Sequence, residues 1–247
     1  STSFEMLRYV GDRFVLFPLP AWSANPMDPI SIRDVLYYLV AAGDGVWWGQ
    51  AGAEPTVLVD ALLDQVAEIG QFHAFCGITW NHRFLRDLPS RFPRNLRLSS
   101  YGALGDLRHL SRHNLVDVVP FHYSALPRMF QRRVLPTDVG LVHVSPPDSA
   151  GEVSLGIGVE YVADALRHTR TVLAEVNHQM PRTQGAATIP LSSFAGYVET
   201  AAALRDEQEG DGRSEEEGTG GELRGELAAR DASGPRVPGL LEQALGQ

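Results

Sequence analysis

Lysine is absent from the 247 residues; all 21 basic side chains are arginine. Any chemistry that needs an ammonium group on this chain is therefore excluded, including a phosphate-binding P-loop, a Schiff base and a pyridoxal-phosphate linkage. Cysteine is nearly absent, and the single Cys76 has no second thiol for an internal disulfide, which fits a reducing compartment. Long apolar runs are missing as well: stretches such as Val35 to Ala42 fall well short of the roughly 20 residues that span a bilayer. The opening Ser-Thr-Ser-Phe-Glu-Met-Leu-Arg lacks the basic-then-apolar order of a secretory leader, so the expected location is cytoplasmic. Positive charge is scarce. A formal net charge of -9 argues against nucleic acid, which needs a basic footprint. The acidic excess is uneven: residues 205–247 hold 11 acidic and 5 basic side chains, net -6, which leaves -3 for the first 204.

What is present is a chain of ordinary globular composition, 44% hydrophobic and 21% charged, long enough for a sizeable core. From about Ile32 to Glu199 short apolar runs alternate with amphipathic stretches, the pattern of repeated βα units around a parallel sheet. Expected strands are Gly45–Trp48, His73–Gly77, Leu96–Ser99, Val116–Val119, Val139–Val144 and Thr171–Val176. Expected helices are Pro55–Ile69, with Leu58, Leu62, Leu63, Val66 and Ile69 on one stripe, then Gly105–His113, Ala125–Arg133 and Gly158–His168. Pro55 and Pro127 suit first-turn positions. Residues 1–30 read as an extended arm and 31–204 as one α/β domain. Residues 205–237, acidic and glycine-rich, read as a flexible linker, and 238–247, with Leu240, Leu241 and Leu245, as a short C-terminal helix.

Ligands of an open parallel sheet sit beyond the carboxyl ends of its strands, so the residues following each strand are searched first. Asp44 to Thr56 runs from a strand through a glycine-containing turn, with Gln50, Gly52, Ala53 and Glu54, into a helix opening at Pro55. Such a turn is expected to present backbone N–H groups to an anion or oxyanion, although an ordinary βα turn has the same composition. Val142 to Gly156 reads as a proline-stiffened structural loop shaping a pocket wall; Ser145 lacks the Gly-x-Ser-x-Gly elbow of a hydrolase nucleophile. Ala174 to Thr183 places Glu175, Asn177, His178, Gln179 and Arg182 at a strand end, a polar density that suggests a site. His109 and His113 at i, i+4 are too few for a metal, and none is expected. Cys76 reads as a small buried hydrophobe, and Trp47 and Trp48 as core residues on opposite faces of one strand.

Together these segments resemble the N-terminal half of the acetyl-CoA hydrolase/transferase family, relatives of the 4-hydroxybutyrate and acetate CoA-transferases among the class I CoA-transferases. Asp44-Gly45 to Pro55 is similar to a degenerate form of the first class signature, with Gly49-Gln50-Ala51 in place of Gly-Gly-Phe and Glu54 before Pro55. Pro136-Thr137-Asp138 to Asp148, Gly151 to Gly156, and Ala174-Glu175-Val176-Asn177 with Met180-Pro181-Arg182-Thr183 and Gly185 resemble its later motifs, in the same order, over about residues 30–200.

The resemblance implies an α/β parallel-sheet fold flanked by helices, one half of a two-domain enzyme whose active site lies between the halves. It implies coenzyme A, bound as an acyl-CoA substrate, and a ping-pong reaction in which a glutamate carboxylate attacks the thioester. That glutamate belongs to the second half, often within Ser-Glu-Asn-Gly, a tetrapeptide this sequence lacks. The expectation is thus a subunit of a split acyl-CoA transferase or hydrolase that depends on a partner chain for the nucleophile. Gln50, Gly52, Ala53, Glu54, Asn177 and Gln179 are the expected substrate-binding residues, an acyl-CoA and a small carboxylate the expected ligands. The alternative is a non-catalytic scaffold or regulatory subunit of the same fold; a sugar-phosphate isomerase on this architecture is disfavoured by the missing lysine.

Overall fold

The computed structural model describes residues 36, 39–84, 86–87, 94–185 and 188–205. The expected arm over 1–30, the linker over 205–237 apart from Arg205, and the C-terminal helix over 238–247 lie outside the described residues.

Seven strands form a parallel sheet: β1 (Gly45–Trp48), β2 (Phe72–Phe75), β3 (Leu96–Ser100), β4 (Val116–Val118), β5 (Val139–Val144), β7 (Thr171–Asn177) and β9 (Gly196–Thr200). Their order is β4-β3-β2-β1-β5-β7-β9. A separate antiparallel pair, β6 (Glu152–Ser154) with β8 (Thr188–Pro190), closes the loop that follows β5. The helices are α1 (Thr56–Asp64), α2 (Val66–Ile69), α3 (Leu107–Arg112), α4 (Leu126–Gln131) and α5 (Val162–Leu166).

β1 and β5 are wholly buried, which is why each reads as a continuous apolar run rather than an alternating one. Both faces are covered. Val46, Trp48, Val139, Leu141 and Leu173 pack with Leu58, Leu62 and Leu63 of α1. Trp47, Val142, Val144 and Ala174 pack on the other side with Phe130 of α4 and with Tyr161 and Val162 at the start of α5. Trp47 and Trp48 thus divide between the two faces, as strand alternation requires. Trp47 meets Phe130 edge-on at 5.6 Å, and Trp48 stacks on Phe84 at 5.8 Å. Cys76 lies in the core beside Trp48, and burial raises its thiol well above the usual range.

The expected single helix over 55–69 is two helices, because the chain tightens at Gln65. Its N–H bonds to Leu62 O, and its side-chain amide turns back to Ala61 O. Pro55 sits one position ahead of α1, and Pro127 falls in the first turn of α4. The loop after β5 is held by Asp148, whose Oδ1 accepts the N–H groups of Ala150 and Glu152 and whose Oδ2 takes Arg182 at 2.6 Å. Among the described residues no helix is long and apolar enough to cross a membrane.

The sheet order reverses between β1 and β5. Successive connections run outward from β1 through β2, β3 and β4 on one side, and from β5 through β7 to β9 on the other. The crevice at the carboxyl ends of β1 and β5 is therefore the switch point, where a sheet of this type binds ligands.

Candidate functional site at the switch point

The turn Gly49 to Glu54 leaves β1 into this crevice. Ala51 adopts φ +53°, a left-handed conformation rare without glycine, and its N–H bonds to Ile78 O, past the end of β2, at 2.8 Å. Backbone strain of this kind is held only where its surroundings fix it. A short 3-10 turn, Ala51–Ala53, then delivers Glu54 and Pro55 to the start of α1.

The expectation that this turn and helix present backbone N–H groups to an external anion is corrected at the helix. The leading N–H groups of α1, on Val57 and Leu58, already hold a carboxylate: Glu175 Oε2 accepts them at 2.9 and 3.3 Å. Within the turn, Ala53 N–H donates to Gln50 O and Glu54 N–H to Ala51 O. An acidic side chain satisfies the dipole end of the helix, as anions do at helix N-termini, but it comes from the chain itself.

Gln50 is 6% exposed. Its Oε1 accepts the N–H of Ile78 at 3.1 Å and the hydroxyl of Tyr101 at 3.0 Å. The amide oxygen lies against Gly77, where a Cβ would overlap Oε1. Glu54 is buried and faces β2: Thr79 Oγ1 donates to its two oxygens at 2.8 and 3.0 Å. Burial pushes its carboxyl up to about 7, against the lowering pull of the Thr79 hydroxyl and the Arg205 guanidinium. Gly52 lies under the chain that follows β9: a Cβ there would sit 3.0 Å from Arg205 O and 3.1 Å from Ile157 Cδ1. Ala53 is buried beneath the same cover.

Asn177 and Gln179 stand apart from the turn. Asn177 Nδ2 donates to Ala202 O at 2.9 Å and its Oδ1 accepts the N–H of Gln179 at 2.8 Å, so its side chain braces the exits of β7 and β9. Gln179 is exposed beside it.

Beneath the turn lies a second buried pair. His143 and Glu175 are register partners on β5 and β7, with Nε2 and Oε1 at 3.8 Å. Burial pushes Glu175 up to about 7 and, against an upward pull from the Glu54 main chain, His143 down to about 4, so the imidazole is neutral; neither of its ring nitrogens has a partner at hydrogen-bond geometry. Sequence reasoning missed Thr79, Tyr101 and Arg205. The first two follow β2 and β3, so the rule of searching past each strand end would have found them. Arg205, assigned to the linker, instead donates to Trp80 O at 2.8 Å and closes the cover. A shallow hollow of about 300 Å3 at the opposite, amino ends of β1 and β5, lined by Gly45, Pro136 and Asp138, is remote from these groups. Among the described residues no group of three or more His, Cys, Asp or Glu side chains is arranged to hold a metal ion.

The family model for the acetyl-CoA hydrolase/transferase N-terminal domain matches residues 31–202. The chain belongs to the acetyl-CoA hydrolase/transferase family. Curated relatives in this family include a succinyl-CoA:acetate/propanoyl-CoA:succinate CoA transferase of Fasciola hepatica, 27% identical over 180 residues, 71% of this chain and 35% of that one. A 4-hydroxybutyrate coenzyme A transferase of Clostridium kluyveri is 33% identical over 111 residues, 45% of this chain and 26% of that one. Among solved structures, RipA from Yersinia pestis superposes with a TM-score of 0.63 at 26% identity, over 71% of this chain and 42% of that one. The chain thus spans about a third of the length of these curated relatives and aligns with the N-terminal domain of the acetyl-CoA hydrolase/transferase architecture.

Proposed function

We propose that this domain works as the N-terminal half of an acyl-CoA transferase or hydrolase, with the nucleophilic glutamate supplied by a second half on a partner chain. The observation that carries the reading is the placement of the signature-like turn, with Gln50 and Glu54, at the switch point of a family-typical sheet.

In the reaction the family membership suggests, the partner's carboxylate oxygen attacks the thioester carbonyl, the C–S bond breaks, and CoA leaves as thiolate. The thiolate then attacks the glutamyl carbonyl of the resulting anhydride, releasing the acyl group as a carboxylate and leaving a glutamyl-CoA thioester. A carboxylic acid or water completes the cycle. Each addition builds negative charge on a carbonyl oxygen, and a fixed amide N–H in a dry crevice lowers that barrier. Gln50 provides such a donor: Ile78 N–H and Tyr101 O–H fix Oε1, which turns Nε2 to the opposite side. Gly52 and Ala53 shape the wall beside it, Glu54 contributes a carboxyl that burial raises to about 7, and Asn177 and Gln179 form the rim towards β7.

With the partner present, Gln50→Ala is expected to lower kcat about 100-fold, the range for loss of one oxyanion donor, with little change in the KM for acyl-CoA. Steady-state kinetics of thioester exchange measures this, and unchanged turnover removes Gln50 from the mechanism. The second reading, a scaffold subunit without a chemical role, is favoured by one observation: the α1 N-terminus is already occupied by Glu175.

A further inference from the structure

Two apolar walls border the switch-point turn. The first is aromatic: Tyr101 Oη donates to Gln50 Oε1 at 3.0 Å, and Tyr123 meets the Tyr101 ring edge-on with centroids 5.5 Å apart. The second is the segment after β6, which lies along the turn. Ile157 Cδ1 stands 3.1 Å from where a Cβ on Gly52 would sit, and a Cβ on Gly158 would overlap the Ala53 side chain. Tyr161 anchors this segment, its hydroxyl donating to Trp48 O at 2.7 Å.

These walls carry apolar side chains that the domain itself leaves uncovered. Tyr123 is 42% and Ile157 49% exposed, and Leu104 and Val159 are exposed with them, all on connections that leave the carboxyl ends of β3, β4 and β5. Positive charge is missing beside them. Segments 49–54, 77–79, 101–104 and 157–161 contain no basic residue, and their charged side chains, Glu54 and Glu160, are acidic. His122, next to Tyr123, shares a hydrogen bond with Ser124 through Nδ1, and Arg205, above Gly52, donates from its guanidinium to Trp80 O. An apolar acyl tail laid against these walls gains contact and leaves water. A second carboxylate in the same place loses hydration, finds no free cation in these segments and meets charge of its own sign.

We propose that Tyr123 and Ile157 are specificity-determining residues of the site, forming walls that favour an uncharged, apolar acyl group over an acyl group ending in a second carboxylate. The inference rests on the reading of the switch point as an acyl-CoA site, and it deepens that reading by naming the acyl class.

The test compares butyryl-CoA with succinyl-CoA, matched in length and differing in the terminal carboxylate, on the chain recovered with its partner. The ratio of kcat/KM is expected to favour butyryl-CoA about 100-fold. Ile157→Arg sets a cation on the exposed wall and is expected to raise kcat/KM for succinyl-CoA about tenfold, mostly through KM, while lowering it for butyryl-CoA. Tyr123→Ser is expected to lower kcat/KM for butyryl-CoA about fivefold and to leave succinyl-CoA unchanged; it keeps the test decisive if Ile157→Arg does not fold. Tyr197→Arg, on β9 and 40% exposed, is expected to change neither, which separates a local cation from a general change of surface charge. Equal kcat/KM for the two thioesters, or a ratio unmoved in the folded Ile157 and Tyr123 variants, overturns the proposal. Calorimetric binding of the same thioesters makes the same comparison without turnover. A butyryl-CoA preference in binding without transfer would sink only the enzymatic reading, and transfer without preference would sink only the apolar walls. Failure to bind either thioester overturns both.

Discussion

Glu175→Leu is expected to destabilise the full chain by about 3 kcal/mol, because it strands the N–H groups of Val57 and Leu58 at the start of α1, each costing about 1–3 kcal/mol when buried without an acceptor. Urea unfolding at neutral pH measures it, and a loss under 1 kcal/mol would mean that water reaches this helix end. Glu175→Gln separates the charge from the hydrogen bonds. Burial holds the Glu175 carboxyl at about 7 in the folded chain, against 4.5 for an ordinary glutamate. Between these values the folded chain keeps a proton that the unfolded chain has released. Glu175 therefore makes stability fall as pH rises from about 4.5 to 7, and its contribution is flat above that window. The stability of the unsubstituted chain minus that of Glu175→Gln is expected to drop by about 3 kcal/mol across the window. His143 has the opposite sign: its folded value of about 4 lies below the ordinary 6.5, so its contribution is lost as pH falls between them. A difference curve for Glu175→Gln that stays level from pH 4.5 to 7 would show that this carboxylate is charged throughout.

The second large effect is expected from one methyl group. A Cβ on Gly77 overlaps Gln50 Oε1, so Gly77→Ala must push the amide away from Ile78 and Tyr101. Turnover with the partner is expected to fall about 100-fold, as for Gln50→Ala, because both changes remove the same donor. The double variant is expected to be no slower than either single one, since changes acting through one group do not add. Multiplying losses in the double variant would place Gly77 in a role of its own.

The sheet was legible where burial is two-sided. β1 and β5 run over the expected limits, since a strand covered on both faces is an apolar run bounded by turn residues. β9 escaped because Gly196–Thr200, paired only with β7, is half-exposed and carries no apolar run. β6 and β8, of three residues each, leave no period to detect. Within the site, Gln50 and Glu54 were legible because they follow a strand directly. Tyr101 directly follows β3, which makes it findable, but its bond to Gln50 spans 51 positions and no local pattern announces that partner. The cover by Arg205 is hidden for the same reason, since its partner is a main-chain oxygen more than 100 residues away, whereas the break at Gln65 rests on a local return bond to Ala61 O that interrupts an otherwise continuous helical stripe.

As proposed, the switch-point turn serves acyl-CoA chemistry in concert with a glutamate on a second half. The most direct measurement is to recover the chain with its bound partner, supply an acyl-CoA, trap the adduct by borohydride reduction or hydroxylamine, and locate it by mass spectrometry. A stoichiometric partner, a modified glutamate on that partner's chain, and loss of the adduct's turnover in Gln50→Ala are expected. A chain recovered without a second half, or a complex whose thioester is never transferred to a carboxylate side chain, would contradict it.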